Sequence, residues 1–331
     1  MNKIQPWGTE SSSGFFIFRN VIFESMNANN KIAVTIVTGF LGAGKTTFIN
    51  QLLKNNPDKQ FALVENEFGD VSIDTKLIKG LDASQMFELK QGCICCTISD
   101  EYELVLLELA ERFPNVEHLL IETTGIADPT PVIRPFFRDE NLHSVYQFNG
   151  TICLVDTLNF NLIPEKEISL KQLAVADCIL VNKSELLTAT QKEIIQNEIS
   201  RINTLGKIHF SVFGSSSGFE LDSIIHQQKF IPDFSAVKSV HSEIASQTFT
   251  FQHPLNRKKF TEWLSYTLDL YKKEIYRTKG ILCFENEPFE YILQGVGGSF
   301  ELVEGESFSM NSKSELVFIG KLTGIELKFL F

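Results

Sequence analysis

Short apolar runs separated by turn residues recur along the first two thirds of the chain. Residues 31–38 read KIAVTIVT, a β-branched run that leads into a glycine-rich loop and then an apolar-periodic stretch over 46–53, so the pattern predicts strand, loop and helix. Four more apolar runs follow at 61–65, 118–122, 151–156 and 178–182, with 208–213 as a sixth strand. Helix-like segments such as 99–112 and 190–203 lie between them, and this alternation implies a largely parallel sheet covered by helices on both faces. The pattern changes near Gly214. SSSG at 215–218 and IPDFSAVKS at 231–239 carry turn residues and little periodicity, as a linker would. Beyond them come a strand over 247–252, a helix over 256–271 and then strands interrupted by Gly280, Gly295, Gly297, Gly298 and Gly320. The expected organisation is an α/β domain over 31–214, a linker over 215–240 and a smaller α+β domain over 241–331. A loosely ordered extension over 1–30, in which Met26 offers a second start, precedes them.

A length of 331 residues suits two domains, since single domains typically hold ~100–200 residues. Hydrophobic residues at 43% and charged residues at 21% are those of a folded globular chain rather than a disordered one. With a net charge of −11 there is no global basic field to draw nucleic acid or an anionic membrane, so any phosphate must be held by a local site. No apolar run approaches the ~18 residues of a membrane-spanning helix. The early apolar clusters at 15–18 and 21–23 lack the order of a secretory signal. Three of the six cysteines fall within five consecutive residues, which is no disulfide framework; reduced thiols, and with them the cytoplasm, fit better.

The loop at 39–46, GFLGAGKT, fits GxxxxGK[ST] and lies between a predicted strand and a predicted helix, the context that motif requires. Small residues let backbone N–H groups converge on phosphates, and the following helix adds its positive N-terminal end. Gly39, Gly42, Ala43 and Gly44, with Thr47 following, are the candidate cradle; Lys45 would reach the β- and γ-phosphates and Thr46 would ligate Mg²⁺. At 182–185 the strand end NKSE stands where guanine-specific P-loop proteins carry NKxD, making Asn182, Lys183 and Glu185 the candidate base site. A carboxylate there accepts hydrogen bonds from guanine N1–H and the 2-amino group, donors that adenine lacks, and a site left with unpaired buried groups can discriminate by ~10⁴ or more. Glu185 in place of Asp adds one methylene, so guanine is favoured while tolerance of ATP and an ordinary polar turn both stay open.

HLLIETTG at 118–125 reads as a strand ending in a carboxylate and then a glycine. Glu122 would hold Mg²⁺ directly or through water and the Gly125 N–H would sense the γ-phosphate, with ADPTP at 127–131 turning the chain afterwards. A strand ending in Glu is commonplace; its order after the phosphate loop gives it meaning. GCICC at 92–96 brings Cys93, Cys95 and Cys96 into one glycine-led segment between the two nucleotide motifs. Thiolates select zinc, Cu(I) and related ions, and zinc would take a fourth ligand or keep a position open for exchange. Three buried cysteines are the alternative. Cys153, Cys178 and Cys283 each sit inside an apolar run and read as core residues.

Taken in order, GFLGAGKTT, ENEFG at 65–69, GCICC, ETTGIADP and NKSE resemble the CobW family of P-loop GTPases, nearest its YjiA-like branch. YRTKGIL at 276–282, LQGV at 293–296 and VFIG at 317–320 resemble that family's C-terminal domain, so the resemblance runs from about Lys31 to the end. It implies a P-loop fold followed by a small α+β domain. It also implies a GTP-hydrolysing metallochaperone that uses GTP and Mg²⁺ and carries Zn²⁺, or else Co²⁺ or Ni²⁺ for cofactor assembly. The resemblance further implies a metal site around Cys93, Cys95 and Cys96 with the first-switch carboxylates Glu65, Glu67 and Asp70 nearby, and Asp74 on the Mg²⁺ or γ-phosphate side; an exposed acidic loop is the alternative for those four. Two departures stand out: Glu185 replaces the commoner Asp, and the histidine-rich tract of many relatives is absent, so bulk metal storage is not expected. The implied partners are GTP or GDP and a client metalloprotein, with a homodimer left open. Two readings from other classes are a nucleotide-dependent binding module with a static structural zinc and a P-loop kinase, for which nothing after the phosphate loop resembles an acceptor site.

Overall fold

The computed structural model describes residues 31–67, 70–74, 88–89, 100–157, 166–211, 238–240, 244–307 and 313–329. The extension over 1–30, the GCICC segment and most of the expected linker lie outside them. Eight strands form the first sheet: β1 Ile32–Gly39, β2 Phe61–Glu67, β3 Asp70–Asp74, β4 Glu88–Leu89, β5 His118–Thr123, β6 Tyr146–Asp156, β7 Cys178–Asn182 and β8 Lys207–Phe210, in the order β4-β3-β2-β5-β1-β6-β7-β8. The six strands from β2 across to β8 are all parallel, as the alternation of apolar runs and helical segments predicts. β3 and β4 add an antiparallel edge. The turn from β2 to β3 is too short for a crossover, so the pair must be a hairpin. Every residue of β7 is buried, and seven of the eight in β1, which requires cover on both faces of the sheet.

The crossovers are α1 Lys45–Asn55, α2 Asp100–Arg112, α6 Lys166–Val175 and α7 Ala189–Ile202; three short helices, α3 Thr130–Ile133, α4 Pro135–Arg138 and α5 Glu140–Val145, step the chain from β5 to β6. The steps follow from proline, which lacks an N–H and is tolerated only in a first helical turn: α3 and α4 each begin with one there. On α1 the side chains of Phe48, Ile49 and Leu52 share one buried face and pack with Val37, Leu63 and Leu120 of the strands. Burying each such side chain stabilises by about 1.5–3 kcal/mol. Thr188 and Gln191 close a reciprocal capping box at the start of α7.

The second sheet contains β9 Lys238–Val240, β10 Ala245–Phe251, β11 Ile275–Cys283, β12 Phe289–Val296, β13 Ser299–Ser307 and β14 Ser314–Gly320, in the order β13-β12-β11-β14-β10-β9 and antiparallel throughout. Helix α8, Arg257–Leu270, is capped by Asn256 and lays Phe260, Trp263, Leu264 and Leu268 on Leu282, Leu293, Leu316 and Phe318. β9 falls in the stretch the pattern assigns to the linker, so this sheet begins earlier than the periodicity indicates. Three residues are too few to show a period of two.

The sheets are joined through Asp177, in the turn before β7. One carboxylate oxygen meets Arg277 Nη2 at 2.5 Å and Lys279 Nζ at 2.7 Å, both from β11, and the other accepts from the Thr151 N–H at 2.9 Å. All three side chains are buried, Asp177 at 5% exposure and Arg277 at 1%. Burial works against the ionised carboxyl, but Arg277 and Lys279 hold it below the ordinary aspartate range. Asp177→Ala would leave two buried cations without their counter-charge, a loss of about 3–5 kcal/mol in urea unfolding. Because the folded-state value is depressed, this stabilisation is complete above the ordinary aspartate value of about 4 and is lost as pH falls through the folded value. The variant should therefore lose less stability than the wild type between about pH 5 and pH 3. Equal acid sensitivity would show that the carboxylate is unpaired in solution.

Candidate nucleotide site

Five parallel strands deliver their carboxyl ends to one edge of the sheet: β1 with Gly39, β5 with Glu122 and Thr123, β6 with Asp156, β7 with Asn182, and β8 followed by Ser211. The edge of an open α/β sheet where strand order reverses is where ligands bind. Here the reversal falls at β1, which has β5 on one side and β6 on the other. The loop between β1 and α1 is wound tightly, with positive φ at Gly39 (134°), Gly42 (74°) and Gly44 (97°) and an Ala43 N–H to Phe40 carbonyl bond of 3.2 Å. Gly44 occupies the N-cap position of α1, where no side chain caps the helix. The first N–H groups of α1 therefore keep their hydrogen-bonding capacity for an anion.

Lys45 is buried and donates to the Gly39 carbonyl at 2.9 Å and the Phe40 carbonyl at 3.4 Å, folding its ammonium back over the loop. Burial lowers its pKa, while Glu122 and Cys153 act in the opposite direction. Burial also pushes the Cys153 thiol up to about 12, so Cys153 is a neutral core residue; Cys178 and Cys283 are buried too. The Thr46 hydroxyl donates to Glu122, with its oxygen 3.0 Å and 3.3 Å from the two carboxylate oxygens. A hydroxyl and a carboxylate at adjoining helix and strand ends form the hard oxygen donor set that Mg²⁺ takes. Beyond Glu122, Thr123 is buried and donates to Thr38 at 2.9 Å, locking β5 to β1. The buried Thr124 hydroxyl has no partner among the described residues. Thr47 is exposed on the first turn of α1.

The end of β7 braces the phosphate loop directly. Asn182 donates to the Ala43 carbonyl at 2.9 Å and accepts from the Ser211 hydroxyl at 3.2 Å. Lys183 adopts a left-handed backbone with φ 60° and bonds the Gly42 carbonyl at 3.4 Å and Asp156 at 2.8 Å. Glu185 stands exposed in a short 3₁₀ turn, Ser184–Leu186, just beyond these anchors. The sequence pattern names Asn182 and Lys183 for the base; the geometry adds that they hold the phosphate loop in shape. Asp156 and Ser211, which complete the brace, carry no motif. The one signal for Asp156 is its position at the end of a predicted strand; Ser211 falls inside the predicted run 208–213, which the structure ends at Phe210.

The Gly125 loop is equally fixed. A Cβ on Gly125 would stand 2.5 Å from the Leu41 backbone N, so only glycine lets this loop close onto the phosphate loop. Gln172 of α6 donates to the Gly125 and Ala127 carbonyls at 3.2 Å and 3.1 Å, and Lys171 pairs with Asp128 at 3.1 Å. No sequence motif marks either residue. Glu65 and Glu67 lie in β2 and Asp70 and Asp74 in β3, with Glu67 opposite Asp70 and Leu63 opposite Asp74, so these acids belong to a hairpin rather than a loop. Cys93, Cys95 and Cys96 lie outside the described residues, between the end of β4 at Leu89 and the start of α2 at Asp100.

A glycine-wound loop opening an uncapped helix, a buried lysine over it and a hydroxyl–carboxylate pair beside it define a P-loop nucleotide-binding protein. The profile of the CobW/HypB/UreG nucleotide-binding domain matches residues 33–210, more than half of the chain, and that of the cobalamin synthesis protein CobW C-terminal domain matches residues 244–328. The chain belongs to the CobW/HypB/UreG family. Zinc chaperone YjiA of Escherichia coli is 34% identical over 280 residues, spanning 81% of this chain and 86% of that protein. Zinc-regulated GTPase metalloprotein activator 1 of Schizosaccharomyces pombe is 29% identical, spanning 82% of this chain and 77% of its own length. The crystal structure of Zn(II)-bound YjiA GTPase from E. coli matches with a TM-score of 0.61 at 27% identity, covering 88% of this chain and 95% of that one.

A Cβ on Gly44 would lie 2.6 Å from Asn182 Nδ2 on a backbone that L side chains avoid. Gly44→Ala should therefore lower both the melting temperature and nucleotide affinity. Asn182→Ala removes the colliding amide, so the double variant should be more stable than the sum of the two single losses. Strict additivity in calorimetry would mean that the two residues are not in contact.

Proposed function

We propose that this protein binds and hydrolyses GTP and uses that cycle to bind zinc and pass it to a client metalloprotein. The observation that carries the reading is the position of GCICC in the chain. It is joined on one side to the hairpin that continues β2 and on the other, through α2, to β5, which carries Glu122 beside Thr46. The names of the two relatives and of the crystal structure, each describing a zinc protein or a GTPase, support the choice of cargo and nucleotide.

In this reading the backbone of the Gly39–Lys45 loop cradles the phosphates of GTP, and Lys45 exchanges its carbonyl partners for the β- and γ-phosphates. A charge-assisted contact there is worth most where negative charge builds during transfer. Thr46 and Glu122 are the residues that would hold Mg²⁺, which neutralises the phosphates. The Gly125 N–H faces the γ-phosphate, and Glu185, exposed beyond the Asn182 brace, accepts from the guanine edge. Cys93, Cys95 and Cys96 bind zinc as thiolates, with Glu65, Glu67 and Asp70 as oxygen donors and Asp74 on the Mg²⁺ side. Thiolates persist in the reducing cytoplasm, where this reading places the protein. Among the described residues no helix is long and apolar enough to cross a membrane.

Lys45→Ala should abolish GTP hydrolysis without unfolding the chain, as followed by phosphate release and by circular dichroism. Glu185→Ala should weaken GTP binding while leaving any ATP binding unchanged; equal loss for both would make Glu185 structural. Zinc titrated against a chromophoric chelator should bind with affinities that differ roughly 5- to 150-fold between the GDP state and the state with a non-hydrolysable GTP analogue. Cys95→Ser should remove that difference. Identical affinities would leave a GTPase with a static metal site. A larger response to added cobalt or nickel than to zinc would change the cargo.

A further inference from the structure

Gln172 of α6 is buried, at 1% exposure, and its carboxamide donates to two carbonyls of the Gly125 loop, those of Gly125 and Ala127. Holding the Gly125 carbonyl leaves only the glycine's own φ and ψ free to turn its N–H. The same loop packs against the Leu41 backbone on its other side. One residue earlier, Lys171 reaches in two directions: its ammonium pairs with Asp128 at 3.1 Å and lies over the Tyr276 ring of β11, 5.5 Å from the centroid. Asp128 in turn accepts from the Thr130 N–H at 2.9 Å. Thr130 abuts the β12–β13 turn, where a side chain on Gly297 would collide with its methyl. At the start of α6, Glu167 pairs with Lys321, just past β14, at 2.7 Å. That pair is exposed and contributes little, so the connection runs through Gln172 and Lys171.

From these contacts we infer that α6 couples the phosphate site to the C-terminal sheet, with Gln172 as the positioning residue that sets the Gly125 loop and Lys171 as the link from that loop to β11. The inference rests on the GTP reading of the site. Whatever shift γ-phosphate imposes on Gly125 acts on the two carbonyls that Gln172 holds and on the Asp128–Thr130 turn. Both α6 and the Gly297 turn meet that segment, so the seating of the C-terminal sheet and the identity of the bound nucleotide bias each other, as linkage requires. Neither residue touches substrate, which distinguishes them from Lys45, Thr46 and Glu122.

The test uses the full chain with GDP and with a non-hydrolysable GTP analogue, measured by calorimetric titration and by backbone hydrogen exchange. In the wild type, amides of β11 and β14 should exchange at different rates in the two states. Gln172→Glu keeps size but replaces the donor with a carboxylate that repels both carbonyls. It should cut the preference for the GTP analogue over GDP by roughly tenfold or more, lower kcat more than it raises KM, and erase the exchange difference. Lys171→Met keeps the stem and loses the charge. It should hydrolyse GTP at close to the wild-type rate while the exchange difference in β11 shrinks, and it remains informative if Gln172→Glu fails to fold. Equal exchange in both states of a wild type that hydrolyses GTP would overturn the inference alone. So would a folded Gln172→Glu with wild-type nucleotide preference, or a Lys171→Met with an undiminished difference. A wild type that binds neither nucleotide would overturn the GTP reading in the first titration, and the inference with it.

Discussion

The first turn of α1 points backbone N–H groups at a loop whose glycines hold left-handed φ values, and the loop's own bonds, Ala43 N–H to the Phe40 carbonyl and Lys45 to the Gly39 and Phe40 carbonyls, leave the Gly42 and Ala43 carbonyls to be held from outside. The surrounding strand ends supply the restraint. Asn182 takes the Ala43 carbonyl, Lys183 takes the Gly42 carbonyl, and the Gly125 loop closes against Leu41. Each contact removes an acceptor or a space that the loop could otherwise fold into. The anion-binding capacity of a helix start depends on such restraint, because an N–H already satisfied by a neighbour offers nothing to a phosphate.

The C-terminal sheet is attached by a different kind of physics. Asp177, Arg277 and Lys279 are ionised groups removed from water, and such a cluster is tolerable only when its geometry is well satisfied. Specific geometry is what the cluster contributes. A purely apolar contact between sheet and helices would permit several seatings of similar energy, whereas a carboxylate shared by a guanidinium, an ammonium and the Thr151 N–H permits very few. Asp177 directly precedes β7, so the anchor of the C-terminal sheet and the Asn182 brace stand at opposite ends of one five-residue strand. The nucleotide loop and the second sheet therefore share a rigid element as well as α6.

Residues with a local chemical signature were legible in order along the chain. Gly39, Gly42, Gly44, Lys45 and Thr46 could be read because a phosphate loop needs small residues and a cation at fixed spacing, and the strand runs at 118–122 and 178–182 because burial on both faces demands unbroken apolar residues. The three buried cysteines Cys153, Cys178 and Cys283 followed from the same rule. β3 was not read as a strand although its DVSID alternates polar and apolar residues, whereas the two-residue β4 leaves no periodic trace at all.

Gln172, Asp156, Ser211 and Asp177 had no motif to announce them. A glutamine on a helix or an aspartate at a strand end is common, and its partner lies 27 to 100 residues away: Lys183 for Asp156, Gly125 for Gln172, Arg277 for Asp177. Spacing along a chain constrains only what one helix, one strand or one turn can bring together. The composition of the phosphate loop, the order of strands and helices and the family of the protein are properties of that local kind. Which polar side chains brace the loop, and which carboxylate carries the second sheet, depended on strand order and helix packing, because those alone bring distant residues within hydrogen-bonding distance.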